Sequence, residues 1–136
     1  MSLTKIVSML TGLAVVAGLT LGTSAAFAGN VLQTGNFKGA GGHRSAGKVQ
    51  IIKDGGVTKI VFNKNFRLNS APDPRIAFGN GRYVRGTIFT KLKKLRGAQA
   101  YVVPARIDPT KFSQVWLWCK KFDAPLGVAN LKKSGA

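Results

Sequence analysis

From Gly29 onward, no stretch of this sequence repeats its apolar residues at helical spacing; they fall into short β-prone runs cut by glycine, proline, asparagine and aspartate. Runs of that length with that punctuation read as strands and turns, which confines the chain to an all-β fold. Residues 47–53 and 57–62 flank Asp54-Gly55-Gly56 and predict a hairpin, because glycine accepts the positive φ that tight turns demand. Residues 75–78 and 82–89 flank Gly79-Asn80-Gly81 and predict a second hairpin by the same logic. Residues 99–103 form a further strand ending at Pro104, which has no amide proton to give to a ladder. Residues 115–119 are the most β-prone run, 127–131 a closing strand, and 108–112 a short helical turn. About seven short strands at this spacing predict an antiparallel β-sandwich or barrel.

The N-terminal segment reads as an address. Lys5 supplies a positive start, residues 6–21 are uncharged and apolar, and Ala26-Phe27-Ala28 places small residues where a signal peptidase cuts. The rival reading is an uncleaved anchor, since the apolar stretch up to Ala28 is long enough to span a bilayer; the small-residue site favours a signal peptide over residues 1–28. Cleavage leaves 108 of the 136 residues, lowers the formal charge from +17 to +16 through loss of Lys5, and leaves no transmembrane span. The mature chain is then exported, periplasmic or extracellular, into an oxidising compartment.

Composition narrows the chemistry. Twenty-one Lys and Arg face four acids, all Asp, with one His and one Cys. One thiol and one imidazole fall short of the ligand set of a structural zinc site. A single Cys makes no internal disulfide, and the Cys-x-x-Cys-His attachment sequence of c-type haem is absent. A hydrophobic fraction of 45% excludes a disordered basic tail. Along residues 115–119, period two sends Val115, Leu117 and Cys119 to one face and Trp116, Trp118 and Lys120 to the other. With the Val-Leu face inward, Cys119 lies at the inner edge of the core near a strand end.

Several motifs follow one another in a distinctive order. Gly35-Asn36-Phe37 precedes Gly42-His43-Arg44-Ser45-Ala46-Gly47; Phe66 and Ala71-Pro72-Asp73 come next. Then Gly97-Ala98-Gln99-Ala100-Tyr101-Val102-Val103-Pro104 gives a Gly-x-Gln-x-Tyr-x-x-Pro stretch. Val115-Trp116-Leu117-Trp118-Cys119-Lys120-Lys121-Phe122 gives Val-x-x-Trp-Cys-x-x-Phe, and Gly127-Val128-Ala129-Asn130-Leu131 closes the series. This resembles the DM-thirteen domain, a secreted module named from Skeletor-like proteins and often found beside DOMON domains. The resemblance covers 35–131, leaving a short linker at 29–34 and a basic tail at 132–136. It implies a DOMON-like β-sandwich and an electron-transfer role centred on the single cysteine, Cys119, either bare or holding a prosthetic group such as haem. Pro74-Arg75-Ile76-Ala77-Phe78 departs from the family pattern, which has an apolar residue and a Tyr-Leu pair there, and the charge is far more positive than that pattern requires.

Each candidate residue carries a plain alternative. Cys119 is a redox thiol or a thiolate ligand to haem iron; it is equally a buried small hydrophobe, or the half-cystine of a dimer, as an odd Cys in an exported chain suggests. His43, in a Gly-rich loop, is a ligand or proton donor beside Cys119, or a loop residue whose glycines set a backbone path. Tyr101, Trp116 and Trp118 stack on a flat cofactor or pack the sheet, with the Tyr101 hydroxyl anchored on nearby backbone. Asp73, between two prolines, reads as turn structure. Lys91, Lys93, Lys94 and Arg96, with Lys120 and Lys121, form an anion-docking surface for an acidic redox partner or an anionic cell-envelope component. Nucleic acid is disfavoured by export and by the lack of a nucleic-acid-binding module. The leading expectation is an exported electron-transfer module, not an enzyme; the alternative is a non-redox cationic adhesion module of the envelope with a structural cysteine. A hydrolase built from Cys119, His43 and an Asp has no supporting local motif.

Overall fold

The computed structural model describes residues 29–135, so the expected signal peptide lies outside the described residues. The strands are β1 (Asn30–Gly39), β2 (Ser45–Ala46), β3 (Lys48–Asp54), β4 (Val57–Phe62), β5 (Arg67–Leu68), β6 (Pro74–Gly79), β7 (Thr90–Lys91), β8 (Gln99–Val102), β9 (Gln114–Cys119) and β10 (Ala124–Lys133). Eight of them form one antiparallel sheet in the order β7-β6-β9-β10-β1-β3-β4-β8, and β2 pairs with β5 as a small ribbon. The all-β antiparallel expectation holds. The sheet curls, so that strands from both of its ends contribute to one core containing Ile76, Phe78, Leu117 and Cys119 together with Ile60, Phe62 and Tyr101. Among the described residues there is no α-helix, and none long and apolar enough to cross a membrane.

The hairpin at 54–57 forms as the sequence predicts. Asp54 pairs with Val57, and Gly55 adopts φ 63° in the connection. The helical turn expected at 108–112 is a single 3-10 turn, Pro109–Lys111. Asp108 caps it by accepting from the Thr110 amide at 3.0 Å, and proline at the first position gives up no needed donor.

The second predicted hairpin does not form. Residues 82–89 form no strand: they make an isolated bridge, Tyr83 to Gly79, a backbone bond from the Val84 amide to the Phe78 carbonyl, and a 3-10 turn at Arg85–Thr87. β6 takes β9 and β7 as its partners instead. The reason is local: the Thr87 hydroxyl takes the Phe78 amide at 2.8 Å in place of a strand carbonyl and lies 2.6 Å from the Val84 carbonyl, while the Phe78 carbonyl accepts the Val84 amide at 3.0 Å.

The expected linker also differs from the structure. Residues 30–34 begin β1, and the expected tail contributes Lys132 and Lys133 to β10, where they pair with Thr34 and Gln33. The inward positions of β1 are Gln33, Gly35 and Phe37, so two of three carry no apolar side chain. Gln33 is buried because its Nε2 donates to the Phe112 carbonyl at 3.0 Å. A register shift between Val31 and Gln33 further hides the alternation.

The core is anchored by aromatic contacts near β8. Phe62 packs on Phe66 at 4.5 Å, on Phe37 at 5.1 Å and on Tyr101 at 5.7 Å between ring centroids. Each buried phenylalanine contributes roughly 1.5–3 kcal/mol of transfer free energy. Gly47 permits the turn into β3: its φ is +110°, and a Cβ there would overlap the Phe66 backbone. Gly55 has a positive φ but open space around it. Denaturant melts should therefore separate the two. Gly55→Ala costs about 1–2 kcal/mol from backbone conformation alone, whereas Gly47→Ala costs about 3 kcal/mol or more because a clash is added.

Candidate functional site at the β9–β10 turn

β9 is hydrogen-bonded on both sides, to β6 and to β10. Its burial alternates: Val115, Leu117 and Cys119 are at 0%, 0% and 2% exposure, while Trp116 and Trp118 are half-buried on the other face. Cys119 is a free thiol at the last residue of the strand, opposite Pro74 of β6 and Ala124 of β10. The strand end is pinned by the Lys120 amide, which donates to the Asp73 carbonyl at 3.1 Å. Asp73 is thus a turn residue, and its side chain holds Arg75 at 2.8 Å.

The outer side of the same strand end carries a different chemistry. The Tyr83 ring stacks on Trp118 with centroids 3.9 Å apart and planes 14° apart, and Trp116 meets Trp118 edge-on at 6.1 Å. Trp118 Nε1 donates to Asp123 at 2.9 Å, and Arg85 Nη2 donates to the other oxygen of that carboxylate at 2.6 Å. The Tyr83 hydroxyl donates to the Arg85 carbonyl at 3.1 Å. Tyr83, Arg85, Ile88, Trp118, Lys120 and Asp123 line a cleft of about 380 Å³. Asp123 closes the turn with φ 50°, a left-handed conformation unusual outside glycine. The Trp118 and Arg85 hydrogen bonds hold its carboxyl below the usual carboxylate range. Burial pushes the Tyr83 phenol up, opposed by the Arg85 charge.

The other residues singled out from sequence are dispersed. Tyr101 is a core residue whose hydroxyl accepts from the Lys93 amide at 2.8 Å and donates to the Gln99 side chain; burial raises its phenol. Lys93 Nζ is engaged by the Ala100 carbonyl at 2.9 Å and lies 5.0 Å from the Tyr101 ring. Lys91 lies on β7, Lys94 and Arg96 on the loop before β8, and Lys120 and Lys121 in the turn after β9. His43 sits in a turn closed by its amide on the Ala40 carbonyl at 3.0 Å, with Gly41 and Gly42 at positive φ; its Nδ1 is buried without a partner. No cluster of metal-ligating side chains occurs among the described residues. Tyr83, Arg85 and Asp123 were not legible as site residues, because the run containing Tyr83 and Arg85 reads as plain strand and Asp123 belongs to no motif.

The family described as Electron transfer DM13 matches residues 36–131 of the chain, a span that includes Cys119 and both aromatic stretches. The chain belongs to the Electron transfer DM13 family. No curated protein and no solved structure matches it. In this DM13 domain a haem held by Cys119 would need an open face beside the sulfur. At 2% exposure within the apolar core, Cys119 provides none in this conformation, so the residues present do not fit that group.

The turn itself has a defined acid response. A carboxyl held low in the folded state adds stability that is present above its unfolded range and lost as pH falls through the folded value. The Tyr83–Trp118 signal in near-ultraviolet circular dichroism should be flat from pH 7 to about pH 4 and change only below it. In Asp123→Asn that acid step should disappear.

Proposed function

We propose that this DM13 domain is an exported electron-transfer module in which Cys119 is the redox group, shut in the resting fold and presented when the 120–123 turn opens. The observation that carries the reading is the placement of the matched span's only thiol at the last residue of β9, directly before that turn. The turn is closed by exposed contacts: the Arg85 and Asp123 side chains are 78% and 52% exposed, and Asp123 holds a left-handed φ. Such segments open at lower free energy than the core. Once open, Lys120 and Lys121 would favour the thiolate by their charge.

The chemistry of a single thiol is exchange. The Cys119 thiolate attacks a partner disulfide, forming a mixed disulfide and releasing one partner thiolate. One thiolate of a second partner's dithiol then attacks the Cys119 sulfur, releasing the first partner's other thiolate, and its second thiolate closes that partner's disulfide, releasing the Cys119 thiolate. Net, two electrons pass from that dithiol to the first disulfide and Cys119 is regenerated. The cationic flank of Arg85, Lys120 and Lys121 favours acidic partners.

The sealing of Cys119 at 2% exposure favours a second reading, a non-redox cationic module of the cell envelope with a structural thiol. Native-state reaction with a small aromatic disulfide separates the two. On the proposed reading Cys119 reacts once per chain without global unfolding, and Asp123→Ala speeds the reaction roughly three- to tenfold, the factor expected for one lost hydrogen-bonded closure. Reaction only at the rate of global unfolding, unchanged in Asp123→Ala, would sink the redox reading and leave the structural thiol.

A further inference from the structure

Three short segments meet in a miniature sheet. Ala46 of β2 pairs with Arg67 of β5, and Ser45 with Leu68. The ribbon continues one step, because the Asn69 amide donates to the Arg44 carbonyl at 3.0 Å and the Arg44 amide donates to Asn69 Oδ1 at 3.0 Å. On the other side of β5, Arg67 bridges Arg96, the Leu68 amide donates to the Leu95 carbonyl at 2.8 Å, and the Gly97 amide donates to the Phe66 carbonyl at 2.9 Å.

This register decides the faces. Arg67 and Arg96 are directly opposed and share a face. Asn69 lies two residues from Arg67 on the same strand, so it and its neighbour Arg44 share that face too. Leu68 points the other way and is 1% exposed in the core. Arg44, Arg67, Asn69 and Arg96 accordingly line one cleft of about 380 Å³. A second cleft of about 410 Å³ continues from Arg67 and Arg96 to Lys64.

Like charges directly opposed on a sheet are destabilising, and among the described residues no side-chain carboxylate pairs with these arginines. The sequence holds four acids. Asp54 pairs with Lys59, Asp73 with Arg75 and Asp123 with Arg85, while Asp108 caps the Pro109–Lys111 turn. Among the described residues, every aspartate is engaged away from the three arginines.

We propose that this face is a phosphate-binding site, with Arg44, Arg67 and Arg96 gripping one phosphate group and Lys64 extending the field toward its substituent. Guanidinium forks match the oxygens of an oxyanion in two-point contacts, which a lysine cannot do. Three guanidiniums on one face suit a tetrahedral group with three or four acceptor oxygens better than a carboxylate with two. The phosphate is either free or the headgroup of an anionic phospholipid, and the site works independently of Cys119.

The test uses the full-length protein at fixed ionic strength. Inorganic phosphate should raise the melting temperature and shift the Arg67 and Arg96 side-chain resonances, whereas acetate at equal ionic strength should not. Arg67→Gln and Arg96→Gln should each weaken phosphate binding roughly tenfold, while Lys111→Gln leaves it unchanged. Without phosphate, at low salt, Arg67→Gln should raise the melting temperature by a few degrees, since it removes a like-charge pair; this readout also shows that the variant folds. Sedimentation with phosphatidylglycerol vesicles, lost in both arginine variants, assigns the phosphate to a lipid headgroup. Phosphate binding without vesicle binding assigns it to a free phosphate. Equal effects of acetate and phosphate, or phosphate binding untouched in both variants, overturn the proposal.

Discussion

A strand paired on both edges cannot rotate, and β9 is such a strand. Its hydrogen bonds to β6 and β10 fix the pleat, and the pleat fixes which side of the sheet each side chain serves. Val115 and Leu117 commit one face to the core, so Cys119 is drawn inside with them although it ends the strand. Trp118 is forced outward by the same step of one residue, where it meets Tyr83 and Asp123. The sulfur and the aromatic cleft are therefore consecutive in the chain yet separated by the sheet. Whatever reaches one does not touch the other unless the turn between β9 and β10 moves.

That turn is also where the charge distribution becomes structural. With 21 bases against four acids, each carboxylate is spent locally. Asp123 ties the turn to Trp118 and Arg85, Asp108 caps a 3-10 turn, Asp73 holds Arg75, and Asp54 lies 3.8 Å from Lys59. None is left to neutralise the Arg44, Arg67 and Arg96 face. Self-repulsion of this kind lowers the stability of the compact state and strengthens its attraction for anions. A bound anion that prefers the folded form returns stability by mass action. On the proposed reading, the same excess charge that strains the fold is what recruits its ligand.

What the sequence made legible follows from how local each signal is. The 54–57 hairpin needs only Asp-Gly between two β-prone runs, and β9 needs only its own alternation. The order of the Gly-x-Gln-x-Tyr-x-x-Pro and Val-x-x-Trp-Cys-x-x-Phe stretches was enough to point to the DM13 family, which the match over residues 36–131 bears out. β1 was hidden because Gln33 and Gly35 occupy inward positions that pattern reading reserves for apolar side chains. Residues 82–89 read as a strand because nothing in their composition shows that the Thr87 hydroxyl will take the Phe78 amide. The Tyr83–Trp118 pair and the arginine face lie further out of reach, since they arise from contacts 35 and 29 positions apart in the numbering, Tyr83 to Trp118 and Arg67 to Arg96.

The burial of Cys119 bears on what kind of electron carrier the fold suits. Exchange between sulfurs requires contact, so a thiol buried in the core is shielded from oxidants and from coupling to a second copy. A half-cystine of a standing dimer would need its sulfur at the surface, and here it is 2% exposed. On the proposed reading the selectivity then lies in the turn and not in the sulfur. A partner able to engage Arg85 or Asp123 competes with the contacts that hold the turn shut, and so gains the thiol, whereas a small oxidant that engages neither waits on spontaneous opening. Recognition and exposure become one event, because the Arg85–Asp123 pair that closes the turn is exposed at the rim of the cleft a partner would approach.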